Sequence, residues 1–319
     1  MSVTLNGGVT FGGGLTLTAA PPAGPTAGWF GGGYAGGVTK STVDRITYAT
    51  DTATASVRGP LSSAKYNLAG VGTFTDGWFA GGTYPASSLV SRITYATDTT
   101  TASVRGPLSA TTYNCGATSD QTTYGWFAGG LFPASVSTVQ RITYATDTGT
   151  ASLRGPLSYI QARLGATGNT TDGWFAGGTL GPITGNAPNS GIQRITYATD
   201  TATASARGPL TLVMRYSAGA GTSTQGWIAG ANDVATNTNV QRITYATDTA
   251  TASVRGPLSV NVSFMSASTD DTTYGWWGGG LTTTSVVQRI TYATDTVTAS
   301  LRGPLTSARY GTAATSGVQ

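Results

Sequence analysis

The side chains of this 319-residue chain that could do chemistry are almost all arginine and aspartate, and their spacing is fixed. Arg45, Arg92, Arg141, Arg194, Arg242 and Arg289 each open the segment Arg-Ile-Thr-Tyr-Ala-Thr-Asp-Thr, whose carboxylates are Asp51, Asp98, Asp147, Asp200, Asp248 and Asp295. Thirteen residues after each of these arginines comes Arg-Gly-Pro-Leu, at Arg58, Arg105, Arg154, Arg207, Arg255 and Arg302. A guanidinium offers five N–H donors in a planar fork that matches anionic oxygens. The chemistry on offer is recognition of an anion, or hydrogen bonding to backbone carbonyls across neighbouring structural units.

Catalysis has little to work with. The chain has no His and no Glu, its thirteen acids are all Asp, and its only lysines are Lys40 and Lys65. Acid–base, nucleophilic and transition-metal chemistry draw mainly on His, Glu and Cys. Cys115 stands alone and reads as a small core residue. No catalytic residue, metal or cofactor is expected, and a retaining hydrolase built on paired Asp is the enzyme alternative. A calcium ring at the repeat aspartates would need further carboxylates beside them. Gly31-Gly32-Gly33 fits no phosphate-loop pattern. Neither nucleic acid nor membrane insertion is expected, and no signal peptide is read at the N-terminus.

The elements that must position these groups follow from the repeat. Gly-Trp recurs at Trp29, Trp78, Trp126, Trp174, Trp227 and Trp276, spaced by 49, 48, 48, 53 and 49 residues. Each unit reads as four strands. A small-residue strand such as Tyr66 to Gly72 or Tyr113 to Ala117 comes first, followed by the apolar strand Gly-Trp-Phe-Ala-Gly-Gly, in which Trp78 and Phe79 face opposite sides. A third strand alternates Ile46 and Tyr48 with Arg45 and Thr47, and a fourth alternates Ala55 and Val57 with Ser56 and Arg58. A type I turn with Asp in its first position joins them. Six such units with no helical period predict an all-β, six-bladed β-propeller of four-stranded blades over residues 23–319. The first unit lacks its small-residue strand, and Arg309-Tyr310-Gly311-Thr312-Ala313-Ala314 supplies one at the other end, so the C-terminal strand is expected to close the ring.

The Gly-Gly doublets, the Tyr before the Asp turn and the Arg-Gly-Pro-Leu exit resemble the kelch repeat, although kelch units carry their Trp after the turn. On a blade of that kind the twelve repeat arginines are expected on one face and the six repeat aspartates on the other. The candidate anion contacts are Arg45, Arg92, Arg141, Arg194, Arg242 and Arg289. The loops after the doublets differ between copies, which adds Tyr84, Phe132, Asn186 and Asn189 as candidate binding residues.

Residues 1–22 read as an attachment arm in which Val3, Leu5, Val9, Phe11, Leu15 and Leu17 alternate with polar residues and glycines. With the near-identical Thr-rich copies, this arm resembles virion and tail appendage proteins of tailed phages, above all those of marine cyanophages. That resemblance implies a non-catalytic virion structural protein made in the host cytoplasm. It would dock through its arm on other virion proteins or on copies of itself and present the propeller to a protein or host-surface glycan. The alternatives are a free lectin with six equivalent inter-blade sugar pockets and an intracellular kelch adaptor.

Overall fold

The computed structural model describes residues 9–11, 15–17, 24–181, 187–231, 238–281 and 284–316. Val9–Phe11 and Leu15–Leu17 pair as a short antiparallel hairpin. Val3 and Leu5 of the expected arm, and Asn186 of the fourth-blade loop, lie outside the described residues.

Six four-stranded antiparallel sheets account for nearly all other regular structure. From the axis outward, the second blade has Tyr66–Gly72, Asp76–Thr83, Val90–Thr94 and Ser103–Arg105. The third has Gly116–Ser119, Tyr124–Ala128, Val139–Thr143 and Ser152–Arg154, and the fourth Gly165–Gly168, Asp172–Ala176, Ile192–Thr196 and Ser205–Arg207. Arg215–Gly221, Gln225–Ala231, Val240–Thr244 and Ser253–Arg255 form the fifth. Ser266–Thr269, Tyr274–Gly278, Val287–Thr291 and Ser300–Arg302 form the sixth. The first blade takes Ala27–Gly31, Val43–Thr47 and Ser56–Arg58 from the N-terminal side, and its inner strand, Ala313–Thr315, from the C-terminal side.

Ring closure therefore follows the sequence. Ala313, Ala314 and Thr315 pair with Gly31, Phe30 and Trp29. The inner strands touch one another around a complete circle, and their Ala, Gly and Ser residues let six backbones converge on one axis. Every second strand is buried on both faces, with Trp78 and Phe79 each 2% exposed. Flanking sheets take one face each, which explains a strand that is apolar throughout instead of alternating.

Two details differ from the expected hairpin. The third strand stops at Thr47, Thr94 and their equivalents, and Tyr48–Thr50 and Tyr95–Thr97 form a 3₁₀ turn. The type I turn that follows is present in all six copies, for example Ala53 N–H donating to Thr50 O at 3.0 Å. Asp51 occupies its second position (φ −68°, ψ −2°), not its first. That shift takes the tyrosine out of the sheet and turns both its ring and the carboxylate toward the neighbouring blade.

Candidate functional site

The repeated residues meet at the six junctions between blades. Trp29 Nε1–H donates to Asp98 Oδ2 of the next blade at 2.8 Å. Arg45 and Arg58 reach the same oxygen at 3.2 and 3.4 Å. The Trp29 ring stacks on Tyr95, centroids 3.8 Å apart. The same set recurs around the ring and closes it: Trp276, Arg289 and Arg302 converge on Asp51, with Trp276 stacked on Tyr48. Gly59 N–H donates to Asp98 O at 2.7 Å, and a Cβ at Gly59 would run into the carbonyl of Thr100, so Arg-Gly-Pro-Leu can fit the neighbouring turn only with glycine.

This arrangement corrects the expectation of a basic face opposite an acidic one. Arg45, Arg92, Arg141, Arg194, Arg242 and Arg289 each pair with an aspartate of the following blade at 2.9–3.2 Å. Arginine and aspartate look distant along one blade, but the hairpin of the next blade brings its carboxylate beside them. A carboxylate holding two guanidiniums and an indole N–H is a cross-brace. The junctions expected to serve as sugar pockets are filled by these groups, although grooves of about 300 Å³ beside Trp29 and Tyr95 and about 360 Å³ beside Arg141 and Arg154 remain.

The chain diverges between its copies at the mouth of the axial channel. The sixth residue after each Pro-Leu leucine is Asn67, Asn114, Arg163, Tyr216, Phe264 and Gly311. All six have left-handed backbones, with φ between +52° and +64°. Their amides and carbonyls form a closed circle of hydrogen bonds: Asn114 N–H donates to Asn67 O, Arg163 to Asn114, Tyr216 to Arg163, Phe264 to Tyr216, Gly311 to Phe264 and Asn67 to Gly311, at 2.7–3.1 Å. The Gly-Gly doublets set the height of this ring. Gly82, for which φ is +96°, donates its N–H to Thr112 O just ahead of Asn114.

Going around the circle, three polar residues (Asn67, Asn114, Arg163) are followed by two aromatic ones (Tyr216, Phe264) and a glycine. Tyr216 and Phe264 stack at 3.6 Å, and Phe264 meets Tyr310 edge-on at 5.8 Å. Tyr310 contacts Tyr66 and Tyr34, which both contact the exposed Tyr84. The Arg163 guanidinium donates to Thr179 Oγ1 at 3.2 Å and lies 5.3 Å from the Tyr216 ring centroid. The mouth encloses about 340 Å³, lined also by Tyr113 and Leu281. Below it a neck of about 60 Å³ leads to a channel of about 90 Å³ lined by the small residues of all six inner strands.

Burial pushes the Tyr66 and Tyr310 hydroxyls above their ordinary value, and the neighbouring tyrosines push them in the same direction, so both stay protonated as donors at neutral pH. Lys65, whose ammonium donates to Pro85 O at 2.8 Å, is lowered by burial. Cys115 lies under the neck, and burial pushes its thiol up to about 12, which makes it inert. Among the described residues no group of three His, Cys, Asp or Glu side chains could hold a metal, and no helix is long and apolar enough to cross a membrane.

Of the residues singled out in the sequence, Tyr84 joins the aromatic belt of the mouth. Phe132 is exposed on a loop whose Leu131 bridges to Tyr113 at the rim. Asn189 bridges to Met214, at the base of the fourth-blade loop, with its side chain accepting from Gly191 N–H. The six arginines are not at the mouth. Asn67, Asn114, Arg163, Tyr216 and Phe264 were not singled out, although a signal exists: between the repeated Pro-Leu and the small-residue run, these positions change in nearly every copy.

The fold and the site define a six-bladed β-propeller with one asymmetric cavity on its axis. No protein-family model matches this chain, and no curated protein matches it.

Proposed function

We propose that the chain is a non-catalytic recognition protein, a structural appendage of a virion, that meets its partner at the mouth of the axial channel. One observation carries the contact surface. The copies keep the junction residues identical, yet they diverge at a ring of left-handed positions, five of which bear Asn, Arg, Tyr or Phe where glycine would fit without strain. Arg, Tyr or Phe in that conformation costs of order 1–2 kcal/mol, and Asn less. Side chains held there against that cost are the ones a binding role would select.

The virion setting is supported by the resemblance of the Thr-rich repeats and alternating arm to tailed-phage appendages. The short hairpin of Val9–Phe11 and Leu15–Leu17 adds to that support, because an isolated two-stranded hairpin is marginal in water and gains by pairing with a neighbour. The test is particle incorporation. A chain beginning at Pro22 melts like the full chain but is missing, by mass spectrometry, from purified particles that contain the full-length protein. A truncated chain that enters particles normally, or a full chain absent from them, contradicts the reading.

A further inference from the structure

We infer that the axial mouth binds the end of a saccharide chain, one per propeller. This rests on the mouth being the contact surface.

The circle is divided in the way a sugar ring is divided. A pyranose has an apolar C–H face and an edge of hydroxyls. Tyr216 and Phe264 present an aromatic side to the cavity, and the Asn67, Asn114 and Arg163 arc presents amide and guanidinium groups across from it. Beneath them, Asn67 is 8% and Ser217 9% exposed, and both line the neck. A sugar hydroxyl both donates and accepts, so it can pair with the amide and guanidinium groups of that arc.

The same geometry disfavours other occupants. All six ring N–H groups are consumed within the ring, so neither a peptide main chain nor an anion finds backbone donors there. The neck, at about 60 Å³, has room for a few waters and stops a chain from threading through. The mouth, at about 340 Å³, falls at the lower end of small-ligand sites, which run from roughly 300 Å³ upward. A chain end therefore seats against the floor, with Tyr66 and Tyr310 beside it.

The test is calorimetric and NMR titration of the full chain with methyl glycosides of a neutral hexose, an N-acetylhexosamine and a hexuronate. At least one should bind with a stoichiometry of one. Phe264→Gly and Asn67→Gly should each weaken it about tenfold or more, the scale expected for losing a central contact, at a melting temperature that is not lowered. Glycine already occupies the sixth position as Gly311, so these variants keep the backbone. Absence of binding by all three glycosides, or a stoichiometry of six, overturns the proposal. A displayed peptide library separates the two readings. Peptides held by the wild type and lost by Phe264→Gly leave the mouth as the contact surface and overturn the saccharide. Glycoside binding that survives both variants removes the mouth itself.

Discussion

Arg309 and Asp44 lie 2.9 Å apart with neither side chain exposed to water, and they tie the C-terminal segment to the third strand of the first blade. The guanidinium also donates to Phe30 O, while Asp44 accepts from the amide and hydroxyl of Thr306. Burial lowers the Arg309 pKa, and Asp44 offsets part of that effect. In the other blades this third-strand position carries Ser or Gln, with Gln140 and Gln193 receiving the equivalent segment that enters their own blade from the preceding one. Only where the chain ends meet is the contact ionic.

Closure of the ring thus depends on a charge pair that each partner needs. Asp44→Asn or Arg309→Met should each cost about 3–5 kcal/mol, because the remaining charge is left buried. The double variant should recover part of that loss. Urea melts of the three variants check this, and additive losses would contradict it. Deleting residues 306–319 should expose the inner edge of the first blade and remove soluble monomer.

The junction braces should be interchangeable around the ring. Trp126→Phe removes an indole N–H from Asp200, held at 2.8 Å, and should cost about 1.5–3 kcal/mol, as expected for a bond to a charged group. The same change at Trp276, across the closing junction, should cost as much. Arg141→Gln should lower the melting midpoint and leave ligand binding at the mouth unchanged; a binding defect with normal stability would restore the anion-face reading.

Asp271 gives a pH signature. Burial, with Asp270 alongside, raises its carboxyl from 3.8 to about 6. Its folded pKa lies above its unfolded value, so the folded chain binds more protons between about 4 and 6. Its contribution to stability therefore falls as pH rises through that window and is constant above it. Gln121 holds the equivalent left-handed site in the third blade without a charge. Asp271→Asn should raise stability at pH 7 by about 1–3 kcal/mol and give no gain near pH 4. Equal gains at both values would contradict the assignment.

The repeat made the architecture legible because Trp78, the Gly-Gly doublet and Gly-Pro report local strand geometry, and the missing first strand could be matched to residues 309–314. Partnerships between copies were less legible. Arg45 and Asp51 are six residues apart, yet Arg45 pairs with Asp98, and only the angle between neighbouring blades decides that. The mouth was hidden for a related reason. Positive φ is usually announced by glycine, and at Asn67, Asn114, Arg163, Tyr216 and Phe264 the circle of backbone hydrogen bonds imposes it instead.

The central claim is that recognition occurs at the mouth, and footprinting the chain on intact particles tests it most directly. Hydroxyl-radical labelling with and without host envelope should show protection at Tyr66, Tyr216, Phe264 and Tyr310, and none at the exposed outer-strand residues Val57 and Leu301. Protection confined to those outer strands or to the groove beside Trp29, with the four mouth aromatics labelled as before, would contradict it.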